Sequence, residues 1–261
     1  MPDRYDMPTS DAFLGGKLTL MQPRSGHRAG LDAVMLAAAA PATPGAAILD
    51  AGCGMGVVGL CIAARVPQCR VTGIEIDAEL VALARENAAR NGLADRYLAL
   101  EADLTQPLSR LEAQGLKPEM FDVVVSNPPF HGEGRGTAAA EVARNRASIM
   151  PVGGLESWVR FMTAMAAPGG RLAIVHRAEA LAELLDLLEG RFGAISVYPL
   201  YPRAQDEAHR IIVTGRKGSR AGLTLKQGMV LHGEGNQFTA EAEAVLRHAA
   251  AITMQPKRGD P

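Results

Sequence analysis

Predicted strands and helices alternate from about residue 46 onward, and this alternation restricts the possible folds more than any other feature of the chain. Such alternation is typical of an α/β domain whose mostly parallel sheet carries helices on both faces. The last two strands follow each other without a helix, so we expect them to pair antiparallel. Seven strands are predicted, at 46–50, 70–76, 96–101, 121–126, 171–176, 194–200 and 209–214, with helices at 57–65, 78–91, 156–167 and 178–189.

The N-terminal segment and the end of the chain add local elements to this core. Residues 13–22 are predicted to form a hairpin, because two consecutive glycines precede an alternation of apolar and polar residues. Asp32 is expected to cap a short apolar helix over 33–40. A terminal helix is expected to begin after Thr239, its N-cap, and to reach about residue 252.

No repeat or linker divides the sequence, which predicts one domain over 1–261: a hairpin and helix in 1–40 packing on the cofactor side of a core formed by 41–261. No apolar run is long enough for a membrane helix, and the start lacks the pattern of a signal peptide, so we expect a cytoplasmic protein. The three cysteines and six scattered histidines fit neither a disulfide framework nor a metal site.

Basic residues are concentrated in one part of an otherwise balanced sequence. The formal net charge is −1 and the isoelectric point is about 6.6, which argues against a generic binder of nucleic acid. Residues 201–230, however, hold six Lys or Arg side chains against two acidic ones. This segment is either a solvated surface hairpin or a face that contacts RNA.

A glycine-rich loop follows the first strand of the core and precedes a helix. The spacing Gly54, Gly56, Gly59, with Glu75 further on, matches the fingerprint of a dinucleotide site. However, Asp50 stands at the strand end, where a carboxylate would repel the pyrophosphate of NAD. The same carboxylate would attract the ammonium and sulfonium groups of S-adenosylmethionine (SAM). The loop therefore favours SAM over a nicotinamide cofactor.

Two further acids end the next two strands and complete this prediction. Glu75 is placed to accept hydrogen bonds from the two ribose hydroxyls, and Asp103 to accept one from the adenine amino group. Asp77 could take the place of Glu75, but capping the helix that starts at residue 78 is the better interpretation for it. No metal is expected.

The fourth strand ends in the run Asn127, Pro128, Pro129, Phe130, whose residue types suit methylation of a planar amine. The lone pair of such a nitrogen is delocalised, so it is a poor nucleophile. If Asn127 and the Pro128 carbonyl accept its two N–H bonds, the nitrogen can pyramidalise towards the methyl group. The prolines offer no N–H donors, and Phe130 offers a flat face to a planar substrate. Catalysis would then rest on orientation and electrostatics.

Together these residues resemble the class I SAM-dependent methyltransferases with an Asn-Pro-Pro-(Tyr/Phe) motif, which implies a Rossmann-like fold. These enzymes methylate adenine N6, guanine N2 or a glutamine amide. Over nearly its whole length the chain resembles the bacterial tRNA adenine-N6 methyltransferase group, which acts on the adenine next to the anticodon of a valine tRNA. Residues 26–36, which include Arg28, Gly30 and Asp32, are similar to a characteristic segment of that group.

The resemblance implies a role for each matching residue. An RNA substrate, most simply tRNA, would meet basic side chains near the base-binding turn. The expected cofactor-binding residues are Asp50, Gly52, Gly54, Gly56, Glu75, Asp103 and Asp32; the adenine-binding residues are Asn127, Pro128, Pro129 and Phe130; the RNA-binding residues are Arg144, Arg146, Arg203 and Arg216.

Three alternatives stay open beside adenine N6 of RNA. The enzyme could methylate guanine N2 of ribosomal RNA or a protein glutamine, or it could be a non-enzymatic module that binds SAM and RNA. The glutamine enzymes carry an N-terminal helical domain, whereas only about forty residues precede the first core strand here. An intact motif in a module without activity would have no function. Both observations favour the RNA enzyme.

Overall fold

The computed structural model describes residues 9–23, 30–129 and 154–254. The helices of these parts are α1 (Leu31–Ala39), α2 (Val57–Arg65), α3 (Ala78–Arg90), α4 (Leu108–Ala113), α5 (Gly154–Met165), α6 (Leu181–Leu188) and α7 (Ala240–His248). The strands are β1 (Thr9–Phe13), β2 (Leu18–Gln22), β3 (Ala47–Ala51), β4 (Arg70–Glu75), β5 (Tyr97–Glu101), β6 (Phe121–Ser126), β7 (Ala166–Arg177), β8 (Phe192–Tyr201), β9 (Arg210–Lys217), β10 (Thr224–Leu225) and β11 (Met229–Val230).

The seven long strands of the core form one sheet in the order β8-β9-β7-β6-β3-β4-β5. Strand β9 is antiparallel to both neighbours, and the pairs from β7 to β5 are all parallel. This confirms the predicted mostly parallel sheet with an antiparallel strand pair. The short strands β10 and β11 pair with β8 and were not predicted, since two residues show no alternation.

Apolar layers cover both faces of the sheet, as continuous apolar strands require. Helices α1, α2, α3 and α7 pack on one face, and α4, α5 and α6 on the other. Val123, Val124 and Val125 of the central strand β6 are all buried, and they alternate between the two layers. Helix α4 was missed in the sequence because its six residues are too few to show a helical period.

The predicted N-terminal hairpin is present as β1 and β2, which pair antiparallel from Thr9–Gln22 to Phe13–Leu18. The backbone of β2 is hydrogen-bonded to two asparagines of helix α3. Asn91 accepts from Thr19 N–H and donates to its carbonyl, each over 2.9 Å. Asn87 does the same for Met21, over 2.7 and 3.1 Å. The two side chains, one helical turn apart, therefore serve β2 as a neighbouring strand would.

Asn87 also reaches the glycine loop, where it donates a hydrogen bond to the carbonyl of Met55 over 3.1 Å. This side chain is fully buried. One amide therefore connects the hairpin to the loop that was predicted to bind the cofactor.

The prediction that Asp32 caps helix α1 was wrong. The helix begins at Leu31, and Gly30 takes the N-cap position without a side-chain hydrogen bond. Asp32 lies in the first turn, where its Oδ2 accepts from Nε of Arg210 over 2.8 Å. An acid in the first turn is still favoured by the helix dipole. By contrast, Thr239 caps α7 as predicted: its hydroxyl oxygen accepts from Ala242 N–H over 3.2 Å.

Replacing Asn91 by Ala should loosen the hairpin. The change removes two hydrogen bonds to the backbone of Thr19, so we expect the free energy of unfolding to fall by about 1–3 kcal/mol. Arg90→Ala is the matched control, because Arg90 makes only an exposed pair with Glu86, worth about 0.5 kcal/mol or less. Urea unfolding measures both, and hydrogen exchange at the Thr19 amide localises the effect. Equal stability of the two variants would contradict this role of Asn91.

Candidate active site

The carboxyl ends of strands β3, β4, β5 and β6 lie at one edge of the sheet, and the predicted site residues follow them. Asp50 is in register with Gly73 of β4 on one side and with Val125 of β6 on the other. Glu75 ends β4, and Asn127 directly follows β6. The topology therefore gathers residues that are as much as 77 positions apart in sequence around one crevice, the usual place for a ligand in an open α/β sheet.

The loop after β3 takes a backbone path that favours glycine. Gly52, Gly54 and Gly56 all have positive φ, at 70°, 54° and 90°. A Cβ atom on Gly52 would lie 2.6 Å from the indole ring of Trp158, so this position is closed to larger residues on packing grounds as well. At Gly54 the structure places no atom within 4 Å of a Cβ, so this turn of the loop has open space beside it.

Asp50 lies beneath the loop as a buried carboxylate. Its Oδ2 accepts a hydrogen bond from Gly59 N–H over 2.9 Å, at the start of helix α2. Its Oδ1 is buried and has no hydrogen-bond partner among the described residues. Burial raises the pKa of Asp50 to about 7, and the neighbouring charge of Glu75 adds to the increase. The hydrogen bond from Gly59 acts in the opposite direction and lowers the pKa. A cation above the loop would stabilise the ionised form.

Glu75 holds the glycine loop against the end of β4. Its Oε2 accepts from Gly54 N–H over 3.0 Å, and its Oε1 accepts from the N–H groups of Ile76 and Asp77 over 2.8 and 3.1 Å. Burial raises the pKa of this carboxyl, and the backbone hydrogen bonds act in the opposite direction. A carboxylate has about four acceptor positions, so this arrangement leaves room for one ribose hydroxyl more readily than for the predicted two.

The two residues that follow Glu75 have different roles: Asp77 caps helix α3, and Ile76 is a candidate contact for the cofactor. Asp77 caps α3 as predicted, accepting from Glu79 N–H over 2.9 Å and Leu80 N–H over 3.4 Å. Between the two acids, Ile76 is 57% exposed although it is large and apolar. We add Ile76 as a candidate contact for the flat face of the cofactor base. The signal in the sequence was an apolar residue directly after the strand-ending acid.

Asp103 lies two residues beyond β5, at the same edge of the sheet. Its Oδ1 accepts from the N–H and the hydroxyl of Thr105, over 2.8 and 2.7 Å, and so closes a local turn. This turn fixes the direction of the carboxylate before any ligand binds. The predicted bond to an adenine amino group would use the other oxygen.

The turn after β6 presents an unused acceptor. Asn127 is half-buried, and its Oδ1 is buried without a partner within the described ranges. Pro128 is buried and Pro129 partly buried, and neither residue has an N–H to satisfy that oxygen. A buried acceptor without a donor is costly, so its presence at this edge suits a ligand that brings N–H groups. Phe130, Arg144 and Arg146, and also Arg28, lie outside the described residues.

The structure separates the two arginines that were predicted to contact RNA together. Arg203 follows β8 at the carboxyl edge, is exposed, and donates to the Gly233 carbonyl and to Oδ1 of Asn236 over 3.0 and 3.3 Å. Arg216 lies near the other end of β9, about 20 Å along the strand from Arg210 at the carboxyl edge. Contact with RNA stays a prediction for Arg203 and Arg216, but the two do not share one edge, because an antiparallel strand carries its late residues away from the crevice.

Different arginines accompany Arg203 at the carboxyl edge. Arg177 and Arg210 are in register there at the ends of β7 and β9. Arg177 pairs with Glu179 over 2.6 Å and Arg210 with Asp32 over 2.8 Å, whereas Arg203 has no carboxylate partner in the described structure. We refer to Arg177, Arg203 and Arg210 as the basic edge.

The described parts of the chain contain neither a metal-binding group nor a membrane-spanning helix. No group of three or more His, Cys, Asp or Glu side chains there is arranged to hold a metal ion. No described helix is long and apolar enough to cross a membrane.

Comparison with known proteins matches this chain and its fold to one class. The family model of the methyltransferase small domain matches residues 29–199. A tRNA1(Val) (adenine(37)-N6)-methyltransferase from Porphyromonas gingivalis is 35% identical over 182 residues, which cover 68% of this chain and 69% of that protein. A release factor glutamine methyltransferase from Chlorobaculum tepidum is 33% identical over 162 residues, 59% of this chain and 53% of the relative.

A solved structure extends the match to nearly the whole fold. It is described as a predicted O-methyltransferase from Agrobacterium tumefaciens, and it superposes with a TM-score of 0.71 at 30% identity, over 85% of this chain and 98% of the other. The fold and the glycine-loop edge thus define a class I methyltransferase that uses SAM as its cofactor. Within that class, the chain belongs to the methyltransferase small domain family.

The residues at the crevice fit this cofactor. The orphaned Oδ1 of Asp50 and the open space beside Gly54 suit a cationic ligand that approaches the loop closely. The assignment of Asp50, Gly52, Gly54, Gly56, Glu75 and Asp103 as SAM-binding residues stays a prediction. Asp32 differs from them, because its carboxylate is engaged by Arg210.

Replacing Asp50 by Asn should stabilise the unliganded protein at pH 8 while weakening SAM binding. The folded-state pKa of about 7 lies above the ordinary carboxyl value of 3.8, so the wild-type protein loses stability as the pH rises between these values. Asn cannot ionise, and it keeps an acceptor for Gly59 N–H. At pH 8 we expect the variant to be more stable by a few kcal/mol, from about three pKa units at 1.36 kcal/mol each.

The difference should shrink towards pH 4–5, where the wild-type carboxyl is protonated. Urea unfolding without cofactor at pH 5 and pH 8 measures it, and calorimetric titration measures the loss of SAM affinity. A variant less stable than the wild type at pH 8, or one that binds SAM as tightly, would contradict this role of Asp50.

Proposed function

We propose that this enzyme transfers the methyl group of SAM to N6 of an adenine in RNA, and that the RNA is a tRNA. The observation that carries the proposal is the Oδ1 of Asn127, which lies next to two prolines and is buried without a partner among the described residues. A turn that offers the Asn127 oxygen and a proline carbonyl as acceptors selects a group that brings two N–H donors, and the exocyclic amine of adenine brings two. The name of the Porphyromonas gingivalis relative supports the same substrate.

The chemistry follows from how this turn would hold the amine. Asn127 Oδ1 and the Pro128 carbonyl accept the two N–H bonds, which fixes the nitrogen and lets its lone pair leave the plane of the ring. SAM, when bound, supplies a methyl group on a positively charged sulfur. The methyl group would pass from the sulfur, which becomes a neutral thioether, to the held nitrogen, and the proton would then leave the cationic nitrogen for water, so no strong base is needed. The contribution of the protein is orientation and preorganised polarity.

A protein glutamine amide is the second candidate substrate. The Chlorobaculum tepidum relative is named for that activity, although the match spans only about half of its length. A glutamine amide also brings two N–H donors, so Asn127 suits either substrate. The basic edge favours RNA, because Arg203 offers a positive charge that no carboxylate of the described residues neutralises. A tRNA substrate would place the enzyme in the cytoplasm.

Replacing Asn127 by Ala should separate catalysis from cofactor binding. The side chain is proposed to contact the reacting amine and not SAM, so SAM affinity should stay the same while kcat falls about a hundredfold or more. Asn127→Asp keeps an acceptor oxygen and should retain more activity than Ala. Labelled SAM with total tRNA, ribosomal RNA or protein shows which fraction is methylated, and nucleoside mass spectrometry should find N6-methyladenine. N2-methylguanine, or label confined to protein, would overturn the adenine proposal.

Reversing the charge of Arg203 should weaken RNA binding. Arg203→Glu removes one phosphate-facing cation, so the slope of log affinity against log salt should fall by about one. Arg216→Glu makes the same change of net charge at the opposite edge and should leave affinity and slope unaltered. Titration of labelled tRNA at several salt concentrations measures both variants. Equal effects of the two changes would mean that the basic edge does not bind RNA.

A further inference from the structure

A buried chain of hydrogen bonds joins helix α5 to both motif-bearing strands. The indole N–H of Trp158 donates to Oγ of Ser126 over 2.6 Å. The Ser126 hydroxyl in turn donates to the carbonyl of Ala51 over 2.7 Å. All three residues are buried. We refer to Trp158, Ser126 and Ala51 as the indole clamp.

The clamp lies where strands β3 and β6 separate. Their register ends at Asp50–Val125, and Ala51 and Ser126 are the next residues along the two strands. The Ser126 hydroxyl adds a side-chain bond to the Ala51 carbonyl at this point and so joins the two strand ends. From this point β3 leads into the glycine loop and β6 leads directly into Asn127.

The ring of Trp158 adds a second contact to the same loop. A Cβ atom at Gly52 would lie 2.6 Å from Cζ2 and 3.0 Å from Cη2 of the indole, so ring and loop backbone are in close contact. One side chain therefore contacts the glycine loop with its ring and the end of β6 with its N–H. Helix α5 begins at Gly154, which places this anchor on the first turns of the helix.

We propose that the indole clamp is a positioning device, which fixes the distance between the Asn127 acceptor and the glycine loop. Trp158 and Ser126 touch neither substrate nor cofactor in this proposal and act through Asn127 and Gly52. Methyl transfer is sensitive to such distances, because a misplacement of about 1 Å costs up to about a hundredfold in rate. The proposal rests on the proposed function only in assigning the contact with the acceptor nitrogen to Asn127.

Ser126→Ala tests the clamp most directly. It removes the bond to Ala51 and the acceptor for the indole, so we expect kcat to fall about tenfold or more, with the dissociation constant for SAM changed by less than about threefold. Trp158→Phe keeps the Ser126–Ala51 bond and should cost less, about threefold to tenfold. The double variant should be no slower than Ser126→Ala, because both changes break the same chain of bonds.

Thr163→Ala is the matched control, because it removes a hydroxyl from the same helix that bonds only to the Val159 carbonyl within α5. Its kcat should equal that of the wild type. Trp158 is the only tryptophan of the chain, so an unchanged emission maximum in Ser126→Ala shows that the ring stays buried. If Ser126→Ala does not fold, Trp158→Phe carries the test alone.

The assay uses whichever substrate fraction the wild-type enzyme methylates, so a failure of the RNA proposal leaves this test intact. The clamp is overturned if folded Ser126→Ala keeps kcat within twofold of the wild type, or if its loss appears in SAM affinity alone. It is also overturned if Thr163→Ala loses as much activity, or if the losses of the two single variants multiply in the double variant.

Discussion

Two buried carboxylates at neighbouring strand ends determine the shape of the site. Asp50 accepts from the first turn of α2, and Glu75 accepts from the glycine loop and from the start of the next loop. Each acid thereby fixes backbone that connects a strand to the following helix. Burial raises the pKa of both groups, so this arrangement costs stability in the unliganded protein. Binding of a cationic cofactor next to these carboxylates gives a physical reason why the protein keeps them buried despite the loss of stability.

The same pair explains why a dinucleotide fingerprint is misleading here. In a dinucleotide site, backbone N–H groups of the glycine loop are left for a pyrophosphate. In this chain the Gly54 N–H is already donated to Glu75, and the two carboxyl groups of Asp50 and Glu75 lie beneath the loop. The glycines match the fingerprint, but their donors are used within the protein. The site is therefore electrostatically unsuited to an anion, whatever the spacing of the motif.

The sequence predicted the features that depend on local pattern. The strands around the site were placed within two residues, because buried parallel strands and glycine loops leave strong signals. Features that depend on distant partners could not be predicted. Asp32 meets Arg210, which lies 178 residues away, and no local signal distinguishes such a pair from a helix cap. The position of Arg216 depends on strand direction and length, and the role of Trp158 on a hydroxyl 32 residues earlier.

The two acceptors proposed for the turn after β6 would limit the substrate by the number of hydrogen bonds that the substrate can donate. A hydroxyl donates one hydrogen bond and would leave either Asn127 Oδ1 or the Pro128 carbonyl unsatisfied in a buried site, which costs about 1–3 kcal/mol. A primary amine of a base or amide satisfies both acceptors. This difference disfavours oxygen as the methyl acceptor, although the solved relative is described as a predicted O-methyltransferase. Under the proposed function, the turn would therefore select the type of nitrogen, and the basic edge would favour a polyanionic RNA over a protein that presents a glutamine amide.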